Sequence, residues 1–336
     1  IAVHRDNPLS TLNSEQILDI FDGEITQWSS VNKKDGKSMQ GEITLAYNID
    51  QALEQEDKTH MIAFLPKEYL SEVDGMKAVD CGNIDFADFF AGKTWMPTAQ
   101  PAPQFGVLPI ILGTLMVSFA AIAIALPFAL AAAVFLSEIA DKRLYKLLKP
   151  AIELLSGIPS VVYGFFGLIV VVPIVQKTFC LDVGETALSG AIILAIMALP
   201  TIITIAEDAM RATPNTLREA SLALGANKWQ TIYKVVIPHA KSGITAGVVL
   251  GIGRAMGETM AVLMVCGNAA VIPHTLLEPI RTIPATIAAE LGEAPQGEAH
   301  YSALFMLACI LFLLTLLINL LVEYISKRKN LKTKKI

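Results

Sequence analysis

The chain has 336 residues, of which 53% are hydrophobic and 17% charged, with a formal net charge of −5 at pH 7 and a mean hydropathy of +0.53. That is too apolar for an ordinary water-soluble enzyme, and an acidic balance gives no reason to expect a nucleic-acid partner. Cys81, Cys180, Cys266 and Cys309 form no CxxC pair and the five histidines lack ligand spacing, so neither a metal centre nor a disulfide framework is expected.

Residues 1–107 hold 17 Asp and Glu against 8 Lys and Arg, whereas the remainder alternates apolar runs with short charged loops. This reads as a water-exposed acidic segment at 1–104, a membrane domain at 105–327 and a basic tail at 328–336. Opening at Ile1 without an initiator Met or leading apolar helix, the chain reads as a mature, trimmed or incomplete product. In the acidic segment, Asn13 and Gln16 suit the start of a short helix bearing Ile17, Ile20 and Phe21 and ending at Gly23. Ile43, Leu45 and Tyr47 alternate as in a strand, and Met61 to Leu65 form a second apolar run, so a small α/β unit is expected.

Crossing about 30 Å of hydrocarbon takes about 20 mostly apolar residues, a filter that selects five stretches: 108–136, 158–175, 187–206, 243–267 and 303–322. The runs are continuous rather than alternating, which predicts an all-α polytopic domain rather than a barrel, with Pro127, Pro173 and Pro200 as points of kinking or termination. Lys142, Arg143, Lys146 and Lys149 follow the first run, Arg211, Arg218, Lys228, Lys234 and Lys241 follow the third, and a basic tail follows the fifth; the intervening loops hold only Lys177 and Arg281. Because cationic loops stay inside, this alternation predicts the acidic segment outside and the C-terminus inside.

Between the third and fourth runs lies Glu219-Ala220-Ser221, then three residues, Gly225, nine residues and Val235-Val236-Ile237-Pro238. Thr213 to Thr216 offers a helix start, Leu217 to Leu224 a short helix, Gly225 a reversal, and Trp229, Ile232 and Val236 a second helical stripe stopped by Pro238. Such a knob suits docking into a partner's groove, or alternatively lying on the membrane surface. No GxxxxGK[ST] loop occurs, so any ATP hydrolysis belongs to another polypeptide. Gly251, Gly253 and Gly257 lie inside an apolar run, where small residues favour close helix packing.

The spacing from Glu219 to Pro238 resembles the EAA loop of ABC-importer permeases. That resemblance implies that Glu219, Ala220, Ser221, Gly225 and Pro238 build coupling helices that engage two ATPase subunits, with Ser221 as a harmless replacement for Ala. Together with Leu154 to Gly164, Glu207 to Arg211, Gly253 to Thr259 and Leu291 to Ala294, residues 105–327 resemble the PstC-type permeases of phosphate-specific transport systems. The resemblance implies a type I importer fold with a PstA-type second permease subunit, PstB-type ATPases carrying ATP and magnesium, and a PstS-type external phosphate-binding protein. No cofactor is implied on this chain, and it is expected to be a transport subunit rather than an enzyme. Parts of residues 2–28 are similar to a phosphate-type periplasmic binding protein, yet the anion-cradling loops are not evident, so a docking or scaffold element is expected there.

Arg254 falls about eleven residues into the fourth run, with Glu258 one helical turn further on the same face. Charges at that depth face a bundle interior or a wet path, and a guanidinium fork suits a tetrahedral oxyanion. The expectation is an anion-facing Arg254 counterbalanced by Glu258; an ion pair that only fixes helix packing is the alternative. Sulfate or molybdate would suit the same chemistry, and an ion-coupled carrier is the remaining alternative, for which no internal repeat is evident.

Overall fold

A computed structural model describes residues 1–9, 11–12, 14–31, 40–79 and 86–333. The chain forms two compact units, one of residues Ile1–Leu108 with Pro295–Ala303 and one of Pro109–Ala294 with Leu304–Ile336.

In the first unit, β1 (Ala2–His4), β2 (Thr44–Ala46), β3 (Met61–Ala63) and β4 (Met76–Ala78) form a sheet of order β2-β3-β1-β4, with β2 and β3 parallel and the other pairs antiparallel. Strand alternation sends Val3 and Ile62 into one core with Ile17, Ile20, Phe21 and Trp28, and Ala2, Met61 and Ala63 into another with Ala46, Ala52 and Met76. The helices are α1 (Ser14–Phe21), α2 (Trp28–Val31), α3 (Ile49–Glu54) and α4 (Phe86–Ala91), and a short ribbon pairs β5 (Trp95–Met96) with β6 (Gln104–Phe105). The small α/β unit expected from the strand and helix patterns is present. Gly23 ends the α1 turn at φ +80, while Asn13 lies outside the described residues.

The second unit is helical: α5 (Leu108–Val134), α6 (Lys142–Ser156), α7 (Ser160–Phe166), α8 (Val172–Phe179), α9 (Ala187–Arg211), α10 (Asn215–Ala223), α11 (Lys228–Thr231), α12 (Ile237–Met256), α13 (Met260–Val265), α14 (Ile283–Glu290) and α15 (Ala299–Thr333). Among the described residues, five helical stretches are long and apolar enough to cross a membrane: Leu108–Ile139, Ser160–Phe179, Ala187–Arg211, Lys228–Met256 and Ala299–Val322. Three match the expected runs closely. The fourth is shifted toward the N-terminus, and the fifth begins slightly earlier.

The prolines do not end spans. Pro127 and Pro200 lie inside α5 and α9. Pro173 and Pro238 each follow a single π-turn, Gly167–Val171 and Ile232–Val236, in which Val172 N–H donates to Gly167 O and Ile237 N–H to Ile232 O. Widening the turn makes room for the pyrrolidine ring and bypasses the missing amide, so the helical path continues through Pro238 instead of stopping there.

The most buried span is α9, and α12 packs along it through a four-residue glycine ladder. A Cβ on Gly243 would stand 2.3 Å from Ala209 Cβ, one on Gly247 3.2 Å from Ile205 Cβ, and one on Gly251 2.8 Å from the Ile202 side chain. Such a ladder brings two backbones close in lipid, where dispersion and close fit drive association. The expected packing role therefore holds for Gly251 but moves from Gly253 and Gly257 to Gly243 and Gly247. Nothing lies within 4 Å of a Cβ on Gly253, and one on Gly257 would meet only Gly253 O at 3.4 Å.

Between the fourth and fifth spans the chain does not run as a simple loop. The Thr114 hydroxyl of α5 accepts from Ile283 N–H at 2.9 Å, anchoring α14, and Arg281 pairs with Glu290 at 2.7 Å.

Candidate functional site

Helix α10 and the α11 segment form a hairpin after α9. Its reversal is Gly225 at φ +85, a left-handed conformation that costs a residue bearing a Cβ about 1–2 kcal/mol. A Cβ at Gly225 would meet nothing within 4 Å, so the requirement is conformational rather than steric. Asn227 and Gln230 complete a capping box for α11, with Gln230 N–H donating to Asn227 Oδ1 at 2.8 Å and Asn227 N–H to Gln230 Oε1 at 2.9 Å.

The Ser221 hydroxyl lies 2.9 Å from that of Thr231, which is buried. Ser221 is therefore more than a small stand-in for Ala: it ties the two arms of the hairpin across the turn. Glu219 and Ala220 lie exposed on α10, and Glu219 has no hydrogen bond or ion pair among the described residues. Around them the hairpin presents Leu217, Leu222, Leu224, Trp229 and Tyr233 to the outside, with Leu224 89% exposed. The hairpin thus leaves an apolar face that the described residues of this chain do not cover.

Arg218 fixes the hairpin to the bundle. Its Nη2 donates to Glu138 Oε1 and to Met210 O, both at 2.8 Å, and its Nη1 to Thr213 O at 2.6 Å and to Asn215 Oδ1 at 3.0 Å. Glu138 sits on the π-turn Phe135–Ile139 that ends the first span. One guanidinium thereby joins the first span, the last turn of α9 and the start of α10. In the sequence this arginine registers only as a loop cation.

A second ionic cluster holds α6 against α9. Glu207, fully buried, contacts Lys149 Nζ and Arg211 Nε at 2.5 Å each, Lys149 reaches Asp208 at 3.2 Å, and the Arg211 guanidinium stacks 3.6 Å from the Tyr145 ring centroid. Burial lowers the Lys149 pKa, but the Glu207 and Asp208 carboxylates more than offset this and leave it raised. A lysine raised on folding contributes stability that is complete below its unfolded pKa and is lost only as pH climbs through the folded value. The clamp is thus intact across the physiological range.

Arg254 and Glu258 are not on one helix. Helix α12 ends at Met256 with Gly257 as its cap, the chain is non-helical at Glu258 and Thr259, and α13 restarts at Met260. Gly257 weakens the helix, and Glu258 stabilises the restart by accepting from Ala261 N–H at 3.2 Å, so the carboxylate turns to a backbone amide rather than to Arg254. The expected Arg254–Glu258 ion pair is absent from the structure.

Arg254 instead donates from Nη1 to the Thr201 hydroxyl at 3.3 Å. Thr201 is fourteen residues after the start of α9 and ten before its end, about 21 and about 15 Å at 1.5 Å per residue. The guanidinium therefore reaches the middle of the most buried span even though its own helix is about to end. It is half-buried and, among the described residues, has no ion-pair partner. A half-open fork with one neutral hydroxyl partner retains donors for an incoming oxyanion.

Residues 125–331 match the family described as binding-protein-dependent transport system inner membrane component. The chain is 40% identical over 77% of its length to a probable ABC transporter permease protein, YqgH, of Bacillus subtilis, covering 83% of that protein. It is 39% identical over 73% of its length to the phosphate transport system permease protein PstC of Mesorhizobium japonicum, covering 80% of it, and 37% identical over 73% to the PstC of Pasteurella multocida, covering 82%. Among solved structures, a chain of a bacterial ABC transporter involved in import of the polysaccharide alginate superposes with a TM-score of 0.50 at 18% identity, over 70% of this chain and 87% of that one, a likeness of fold. With its helical bundle and five candidate spans, the chain belongs to the family of binding-protein-dependent transport system inner-membrane components.

Proposed function

We propose that this chain is the permease subunit of an ATP-driven importer that moves inorganic phosphate across the cytoplasmic membrane. The observation that carries the reading is the 34–39% identity, over about three quarters of the chain, to permeases named for phosphate transport. The half-open Arg254 fork inside the bundle suits a tetrahedral anion, and the apolar hairpin face around Glu219, Ala220, Ser221 and Gly225 suits a nucleotide-hydrolysing partner. On this reading ATP and magnesium belong to two PstB-type ATPase subunits, a PstA-type permease completes the pore, and a PstS-type protein delivers phosphate. Vesicles containing the assembled complex should take up labelled phosphate only with ATP inside. Preference for sulfate or molybdate would change the anion, and uptake indifferent to ATP would point to an ion-coupled carrier.

The alternation of cationic loops supports an external N-terminal unit and a cytoplasmic hairpin. Leu224 is the suitable probe because it is 89% exposed and touches none of the clamps, whereas Arg218 is a structural anchor. A Leu224→Cys chain whose four native cysteines are replaced by Ser should, in intact cells, resist an impermeant thiol reagent and react once the membrane is opened. Labelling of that site from outside would reverse the orientation.

A further inference from the structure

Helix α6 carries two apolar stripes. Tyr145, Leu148 and Ile152 pack against the span core, but Leu144, Leu147 and Leu154, spaced three and seven residues apart, face outward, with Leu147 69% and Leu154 75% exposed. No residue of α6 is buried. Since the first span ends at Ile139 and α6 begins at Lys142, the helix lies at a membrane boundary whichever way the chain is inserted.

At its first turns, α6 and the end of the first span flank an open groove of about 590 Å³ lined by Phe135, Ile139, Asp141, Arg143, Leu144 and Leu147. Asp141 is committed to capping α6, accepting from Leu144 N–H at 2.8 Å. Lys142, Arg143 and Lys146 remain exposed beside the apolar floor.

We propose that this groove binds an anionic phospholipid, one acyl chain lying on Phe135, Ile139, Leu144 and Leu147 and the headgroup phosphate meeting Arg143 and Lys142. The charge pattern selects this occupant. A neighbouring membrane subunit would bring a boundary edge rich in the same cations, whereas a phosphodiester complements them. The site adjoins Glu138, which bonds Arg218 of the hairpin, so lipid occupancy bears on the joint between the first span and the docking knob.

The test is a Leu147→Trp chain, with its co-purifying subunits, in nanodiscs containing brominated phosphatidylglycerol or brominated phosphatidylcholine, corrected for the native tryptophans in the parent. The expected result is quenching with about a fivefold preference for the anionic lipid, falling to near unity when Lys142→Gln and Arg143→Gln are added. Equal quenching by the two lipids would reduce the groove to ordinary lipid contact and overturn the site. Absence of quenching by either would mean that a protein subunit covers it, which also overturns the proposal. Native mass spectrometry of the unsubstituted chain gives an independent reading: phosphatidylglycerol should be retained over phosphatidylcholine, and equal retention counts against the site.

Discussion

Arg254→Gln is expected to abolish phosphate uptake while leaving membrane insertion and complex recovery intact. The guanidinium is half-buried at the depth of Thr201, midway along α9, and its hydrogen bond among the described residues is to a neutral hydroxyl at 3.3 Å. A glutamine is too short to keep the Thr201 contact, but that contact is a single long hydrogen bond to a neutral hydroxyl, so the bundle loses little. What disappears is a full positive charge beside the middle of α9, together with the planar fork that can hold two oxyanion oxygens. Arg254→Lys should restore uptake poorly, because a point charge lacks the fork and is more strongly hydrated. Glu258 enters differently from the sequence expectation. Since it caps the restart at α13, Glu258→Gln should retain that hydrogen bond and leave uptake nearly normal, whereas Glu258→Ala should lose about 1 kcal/mol of local helix stability and slow transport. Uptake in vesicles with complex recovery measured in parallel checks all four variants, and normal transport by Arg254→Gln would remove the arginine from the pathway.

The contrast between these residues shows how far sequence reasoning reaches. Length and apolarity determine the spans because hydrocarbon tolerates few alternatives to a helix of that size. The hairpin was equally legible, since Gly225 and the spacing around it specify a reversal between two short helices. The break at Gly257 was not: a lone glycine in an apolar run is tolerated in many helices, and whether the chain restarts depends on Glu258 finding the Ala261 amide. The glycine ladder was legible as a tendency but not in register, because Gly243, Gly247 and Gly251 outrank Gly253 and Gly257 only once Ala209, Ile205 and Ile202 stand opposite them. Likewise Ser221 looked like a neutral replacement until Thr231 appeared across the turn, and Pro238 looked like a stop until a π-turn preceded it.

These corrections bear on how the two ends of the bundle communicate. Helix α12 begins just after the hairpin and carries Arg254 in its last turn, while α9 carries Thr201 at mid-length and Met210, whose carbonyl Arg218 holds, near its end. The glycine ladder keeps the two helices in close register between those points. The hairpin and the Arg254–Thr201 contact are thus joined by one closely packed helix pair, α9 and α12, with the chain non-helical at Glu258 and Thr259 just beyond it.

Arg218→Met is expected to loosen the hairpin and to uncouple nucleotide hydrolysis from uptake without preventing insertion. The substitution keeps a long apolar stem but strands Glu138, whose side chain is only 10% exposed, and releases the Met210 and Thr213 carbonyls. Removing one partner of a largely buried ion pair costs about 3–5 kcal/mol, which is the cost of leaving the other charge unpaired rather than the net worth of the pair. Most of that loss should fall on α10 and α11, which bury little else and lean on this clamp, so amide exchange across residues 215–231 should rise on the order of a hundredfold while α9 and α12 stay protected. A second change separates charge from packing. Glu138→Leu added to Arg218→Met removes the stranded carboxylate and should recover complex yield and much of the protection, since replacing both members of a buried pair is far less costly than deleting one. Coupling need not return with it, because the apolar pair lacks the fork that fixes the angle between α10 and the end of α9. Unchanged exchange over residues 215–231 in Arg218→Met would show that the hairpin holds its position through the Ser221–Thr231 tie and the Gly225 turn alone, and Arg218 would then be a bystander.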